Sequence, residues 1–137
     1  MDYSITKSIT FCAAHRLLDY NGRCSNIHGH NYKVEATITD ALMRLGLSKL
    51  GMICDFGDLK QLLFAIVDEW DHRLLLNVKD NLIADMERLK IPVITFDANP
   101  TAEHMARVVC ERLTPHFPTM FVNVRVWETE TSYAEVK

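Results

Sequence analysis

The sequence predicts an α+β domain, and three observations carry that prediction. Two segments near the N-terminus alternate apolar and polar residues over about a dozen positions each, the period of strands half-buried in a sheet. Only a short polar stretch separates them, which favours an antiparallel pair. Two later segments switch to helical spacing, with strand-like runs between and after them. That order suits helices laid on an antiparallel sheet better than a doubly wound parallel one.

In the first segment, residues 2–15, Tyr3, Ile5, Ile9, Phe11 and Ala13 share one face, interrupted by Lys7, and Asp2, Ser4, Thr6, Ser8 and Thr10 share the other. Asp19-Tyr20-Asn21-Gly22-Arg23 follows as a loop, with turn chemistry at Asn21-Gly22. In residues 28–39, His28, His30, Tyr32, Val34, Ala36 and Ile38 lie on one face, opposite Gly29, Asn31, Lys33, Glu35, Thr37 and Thr39. Gly46, Gly51 and Gly57 punctuate the next stretch. From Asp58 the stripe Leu59, Leu62, Leu63, Ile66, Val67 and Trp70 predicts a helix. Residues 71–90 read as a loop and a short helix around Leu82–Leu89. Ile91–Phe96 reads as a short strand, with Pro92 placing it near an edge or a strand start. Asn99-Pro100 then opens a second long helix, Asn99 as N-cap and Pro100 in the first helical position. Its stripe is Ala102, Met105, Ala106, Val109, Cys110 and Leu113, and Pro115 and Pro118 end it. A last strand covers about Met120 to Glu128, with Met120, Val122, Val124 and Val126 on one parity.

Composition narrows the class. A chain of 137 residues is expected to form one domain, 1–137. With 48% apolar and 24% charged residues it is not a disordered chain. Its longest apolar run, Leu62–Val67, falls far short of the roughly 18 residues of a membrane span. The start, Met1-Asp2-Tyr3-Ser4, has neither the basic nor the apolar stretch of a secretory signal. A cytoplasmic location and reduced thiols at Cys12, Cys24, Cys54 and Cys110 are therefore expected. Fifteen basic against eighteen acidic residues, with no Lys/Arg cluster, argue against nucleic acid as a partner.

The chemistry lies where polar residues occupy apolar faces. His15 continues the parity of Ile9, Phe11 and Ala13; His28 and His30 share that of Val34 and Ile38; Glu128 shares that of Val122, Val124 and Val126. A titratable group on a buried face needs a partner. Residues i and i+2 of a strand point the same way, so His28-Gly29-His30 offers two imidazoles to one ion, and His15 on the neighbouring strand can supply a third. Three imidazoles with one open position describe a catalytic zinc site, the alternative being three hydrogen-bonded core histidines. Cys24 is a fourth ligand, a nearby nucleophile or base, or an unreactive loop thiol. Asp71-His72 can be an oriented proton-transfer pair or mere decoration of a helix C-terminus. Glu128 can grip a flat N–C–N donor edge with both oxygens, or form an internal salt bridge to an arginine.

Taken together these blocks resemble a known family. Phe11-Cys12-Ala13-Ala14-His15, Cys24-Ser25-Asn26-Ile27-His28-Gly29-His30-Asn31-Tyr32, Gly51-Met52-Ile53-Cys54-Asp55-Phe56, Asp71-His72, Pro100-Thr101-Ala102-Glu103 and Trp127-Glu128-Thr129 are similar, in order, to motifs of the 6-pyruvoyl- and 6-carboxy-tetrahydropterin synthases. The resemblance implies the T-fold: a four-stranded antiparallel sheet with two helices on one face. It implies trimers stacked in pairs as a homohexamer, with active sites at subunit interfaces. It assigns zinc to His15, His28 and His30, the catalytic thiol to Cys24, a proton relay to Asp71 and His72, and the pterin anchor to Glu128. The substrate it implies is 7,8-dihydroneopterin triphosphate.

Three residues between Cys24 and His28 resemble the carboxy branch, which serves queuosine (7-deazapurine) synthesis and releases acetaldehyde and triphosphate. The pyruvoyl branch, with a longer spacing, is the alternative enzyme, and a non-catalytic zinc- or pterin-binding module is the alternative of another class. Two features depart from the family pattern. Asp71-His72-Arg73-Leu74-Leu75-Leu76-Asn77 carries one residue more than the usual Asp-His-x-x-Leu-Asn, and His104 stands where Asn is common, by default a surface helix position.

Overall fold

The computed structural model describes residues 2–40 and 51–137; Gly46 lies outside them. Strand β1 (Tyr3–His15) pairs antiparallel with β2 (His28–Asp40) along its whole length, as the alternation predicts. Helix α1 (Phe56–Val67) starts at Asp55, whose Oδ1 accepts from the Gly57 amide at 2.6 Å. Strand β3 (Arg73–Asn77), helix α2 (Leu82–Arg88) and strand β4 (Val93–Phe96) follow, then α3 (Ala102–Leu113), β5 (Phe121–Thr129) and β6 (Ser132–Val136). No helix among the described residues is long and apolar enough to cross a membrane.

The expected four-stranded antiparallel sheet with two helices needs correction. Six strands form one mixed sheet in the order β4-β3-β1-β2-β5-β6, and three helices are present among the described residues. Pairs β1–β3 and β3–β4 are parallel; β1–β2, β2–β5 and β5–β6 are antiparallel. Strand β3 lacked an alternation signal because Leu74, Leu75 and Leu76 are all buried, as befits a parallel strand covered on both sides. Strand β6 is a short, polar edge strand folded back from β5 and tied to it by Arg125 Nε to Glu135 Oε1 at 3.0 Å.

The apolar parities of β1, β2 and β5 all face one core. Phe11, Tyr32, Val34, Ile38, Val124 and Val126 lie there against the stripes of α1 and α3. Leu59, Leu63, Ile66 and Val67 are the buried residues of α1; Ala102, Met105, Ala106, Val109 and Leu113 are those of α3. Trp70, just past α1, packs tilted on Phe11 and Phe96 at centroid distances of 5.9 and 5.3 Å.

The start of α3 also differs from expectation. Thr101 is the N-cap, its hydroxyl accepting from the His104 amide at 3.2 Å, so neither Asn99 nor Pro100 holds the predicted position. Asn99 has a longer-range task. Its Oδ1 accepts from the Leu18 amide at 2.9 Å and from Asn77 Nδ2 at 3.2 Å, while its Nδ2 donates to the Leu18 carbonyl at 2.9 Å. His104 is not a free surface residue either: its ring stands edge-on to Phe96 at 5.6 Å and its Nε2 lies 2.8 Å from Asp97 Oδ1.

Adjacent residues of α1 supply a test of this packing. Leu63 is fully buried and Phe64 is 56% exposed. Leu63→Ala is expected to lower unfolding free energy by about 2–5 kcal/mol in urea titrations. Phe64→Ala should change it by no more than about 0.5 kcal/mol, although the latter removes the larger side chain.

Candidate functional site

Register brings the histidines together. His15 pairs with His28 and Ala13 with His30 in the β1–β2 ladder, so three imidazoles leave the same face at one end of the two strands. The ring centroids are 4.6, 5.0 and 5.3 Å apart. Between the two ligands of β2, a Cβ built on Gly29 would sit 3.1 Å from the Ala13 carbonyl oxygen, tighter than a side chain ordinarily accepts.

Two backbone carbonyls fix the tautomers. His15 Nδ1 donates to the Pro100 carbonyl at 2.7 Å, and His28 Nδ1 donates to the Asn26 carbonyl at 2.7 Å. In each neutral ring the proton is then on Nδ1 and Nε2 carries a lone pair. The two Nε2 atoms face each other at 3.1 Å. His30 Nε2 is buried without a hydrogen-bond partner and lies 3.4 Å from Glu128 Oε1. One donor atom from each of the three rings falls within a 4.8 Å group. Burial, the largest influence on both His15 and His30, pulls their pKa values below the ordinary 6.5 and favours the neutral form. Neutral imidazoles with converging lone pairs and an orphaned third nitrogen fit a divalent transition-metal ion, which binds only deprotonated ligands.

Cys24 lies outside that convergent donor group, which removes the support for a fourth-ligand role. It sits half-buried in a 3-10 turn, Arg23–Ser25, and its carbonyl accepts from the Leu17 amide at 2.9 Å, folding the loop back against the end of β1. Its charge acts on the Tyr32 hydroxyl, whose ring stands edge-on to His15 and His30.

Asp71 and His72 do face one another, because His72 adopts a left-handed backbone with φ of 59°. Asp71 Oδ2 lies 3.0 Å from His72 Nδ1, and Asp71 Oδ1 accepts from the Cys12 amide at 2.9 Å. That amide, more than the imidazole, holds the Asp71 carboxyl below the usual carboxylate range. Just past Asp71-His72, the parallel β1–β3 register sets Leu74 beside Ala14 and Leu75 beside His15. The His72 side chain is 76% exposed. Among the described residues, no hydrogen bond joins this dyad to Cys24 or to the three histidines. His72 and His30 do line one open groove of about 560 Å³.

Glu128, half-buried at the end of β5, has His30 as its described ion-pair neighbour and no arginine. It lines a recess of about 170 Å³ with Glu103, Ser132 and Tyr133. Of Arg16, Arg23 and Lys33, the cations that the sequence places near these motifs, Arg16 and Lys33 are engaged elsewhere. Arg16 grips buried Asp80 with two nitrogens at 2.5 and 2.7 Å, and Lys33 pairs with Glu35 and stands over the Trp127 ring. Sequence reasoning gave no role to the carbonyls of Asn26 and Pro100, nor to the buried, unpartnered hydroxyl of Tyr32. Tyr32 was legible as an inward residue, but its ring fitted the core and its oxygen drew no notice.

The family model described as 6-pyruvoyl tetrahydropterin synthase matches residues 4–137. The chain is 33% identical over 138 residues to the 6-carboxy-5,6,7,8-tetrahydropterin synthase of Haemophilus influenzae, covering 97% of each. It is 37% identical over 155 residues to a protein of Pyrococcus horikoshii named putative 6-carboxy-5,6,7,8-tetrahydropterin synthase, covering 99% of this chain and 93% of that one. In fold it is similar to the 6-pyruvoyl tetrahydropterin synthase of Plasmodium falciparum, with a TM-score of 0.77, 19% identity and coverage of 98% of this chain and 96% of that one.

The depressed histidines make stability depend on pH. Below 6.5 the unfolded chain binds protons that folded His15 refuses, so stability of the metal-free protein falls as pH drops from 7 through 6.5. The loss is steepest between the folded and the unfolded pKa of His15. Urea midpoints at pH 7.0 and 5.5 should show a smaller loss for His15→Gln than for the wild type; equal losses would remove His15 as the cause.

Proposed function

Because the chain belongs to the 6-pyruvoyl tetrahydropterin synthase family, we propose that it converts 7,8-dihydroneopterin triphosphate and one water to 6-carboxy-5,6,7,8-tetrahydropterin, acetaldehyde and triphosphate. The observation that carries this proposal is the convergence of three imidazoles, two of them locked by carbonyls, beside a half-buried carboxylate. The names of the most similar relatives and the three-residue Cys24–His28 spacing favour the carboxy product over the pyruvoyl one. The reaction fits a cytoplasmic step of queuosine-type 7-deazapurine synthesis.

In this proposal His15, His28 and His30 hold zinc, which when bound supplies Lewis acidity to the substrate's side-chain oxygens. Glu128 accepts the 2-amino-pyrimidinone edge through both oxygens, fixing the ring so that its side chain lies over the histidines. Cys24, outside the donor group, takes and returns protons on the side-chain carbons. His72, oriented through Nδ1 by Asp71, serves the opposite face. Since no hydrogen bond among the described residues joins this dyad to Cys24, the proposal places it in the site of a neighbouring copy within a homohexamer of stacked trimers.

Incubation of the zinc-loaded protein with 7,8-dihydroneopterin triphosphate should yield acetaldehyde and 6-carboxy-tetrahydropterin; 6-pyruvoyl-tetrahydropterin as the sole end product would replace the proposal with the pyruvoyl reaction. Cys24→Ala should keep one zinc per chain and lose turnover by about a hundredfold or more. Full turnover in that variant would reduce the thiol to a bystander, and loss of zinc would make it a ligand. His28→Ala should lose metal and activity together, as read by metal analysis and product assay.

A further inference from the structure

Tyr32 carries a feature that packing does not explain. The residue is 0% exposed, and three rings hold it in place. Phe11 stacks on it at 5.0 Å and 14°, while His15 and His30 stand edge-on at 5.8 and 5.4 Å. Its hydroxyl is buried with no hydrogen-bond partner. Leaving a buried hydroxyl unpaired costs about 1–3 kcal/mol, and a phenylalanine would fill the same space without that cost. The oxygen therefore needs a use outside the resting core.

Its surroundings narrow what that use is. The β2–β5 register pairs Lys33 with Trp127, which sets Tyr32 and Glu128 beside each other on the inward face. Of the ionisable groups that act on the hydroxyl, Glu128 acts most strongly and Cys24 second. In the resting arrangement the Glu128 carboxylate faces His30 Nε2 at 3.4 Å. A phenol is a donor and each carboxylate oxygen has two acceptor positions, so Glu128 can accept from Tyr32 and still present both oxygens to a ligand.

We propose that Tyr32 is a positioning residue: when a pterin ring occupies the site, its hydroxyl donates to Glu128 and holds that carboxylate in the orientation that grips the ring. This inference rests on the anchoring role given to Glu128 above. It concerns affinity and orientation, so turnover at saturating substrate is expected to follow the wild type more closely than binding does.

The test measures binding of neopterin, a non-reacting pterin, by fluorescence titration to the zinc-loaded wild type, Tyr32→Phe, Glu128→Gln and the double variant. Tyr32→Phe removes one oxygen and keeps the ring. It should retain zinc stoichiometry and melt at or above the wild-type temperature, yet bind neopterin roughly tenfold more weakly, the loss expected for a hydrogen bond to a charged group. The double variant should bind no more weakly than Glu128→Gln alone, because the hydroxyl acts through the carboxylate. Wild-type affinity in Tyr32→Phe, or fully additive losses in the double variant, would overturn the positioning role while leaving the anchor intact. Unchanged binding but slowed turnover in Tyr32→Phe would also overturn it, in favour of a contact with Cys24. If Glu128→Gln itself binds neopterin like the wild type, the anchor fails and this inference fails with it.

Discussion

Two carbonyl oxygens decide the state of the histidine cluster. Pro100 and Asn26 take the Nδ1 protons of His15 and His28, which turns the two bare Nε2 atoms toward each other at 3.1 Å. Alone, that contact is unfavourable, since both atoms are acceptors and neither has a proton to share. A cation between them reverses its sign. Strand register sets where the rings stand, burial favours the neutral form of His15 and His30, and the carbonyls choose which nitrogen of His15 and His28 is free. Each contribution comes from a different level of structure, and the site needs all three.

The end of β1 must hold still for this to work, and strand ends ordinarily fray. Here consecutive residues beyond His15 are tied in three directions. Arg16 grips Asp80 before α2, the Leu17 amide donates to the Cys24 carbonyl, and Leu18 exchanges two hydrogen bonds with the Asn99 side chain. The Asn99 clamp does double duty. It closes the loop after β1 onto the segment before α3, and so sets the next residue, Pro100, where its carbonyl meets His15. Helix α3 consequently takes Thr101 as its N-cap, because the two residues before it serve the site.

What could be read from the sequence follows from what has a short period. On β1, β2 and β5 one face is buried, so a polar residue in phase with Phe11, Val34 or Val126 stands out, and His15, His28, His30 and Glu128 were legible for that reason. Strand β3 was not, since Leu74-Leu75-Leu76 carries no alternation, and β6, whose Ala134 and Val136 pack only partly against the core, offers no clear apolar face. Asn99-Pro100 has the local chemistry of a helix start, but its partners Leu18 and Asn77 are distant in sequence, and local rules do not see them. The Asp71–His72 contact depends on one residue's left-handed backbone, and residue identity alone does not announce that for histidine. Tyr32 was hidden by its own ring, which satisfies an apolar position so well that the oxygen at its tip goes unnoticed.

The candidate site is divided within one chain. The imidazoles and Glu128 sit on the core-facing side of β1, β2 and β5, whereas Asp71 spends one carboxylate oxygen on the Cys12 amide, in the β1 backbone where β3 joins it, and the other on His72. An imidazole oriented by a carboxylate and left 76% exposed has the preparation of a proton-transfer group without a described substrate-side partner. Holding it there is not free: a histidine at φ 59° is strained by of order 1–3 kcal/mol. Decoration of a helix end would need no such conformation, because a more exposed turn could present the same pair without strain. Under the proposed reaction the strain has a purpose, since it aims a prepared imidazole outward, toward a cleft completed by another copy. On that account assembly is part of the catalytic site, and in the isolated chain the two halves share a groove at His30 and His72 without a hydrogen bond between them.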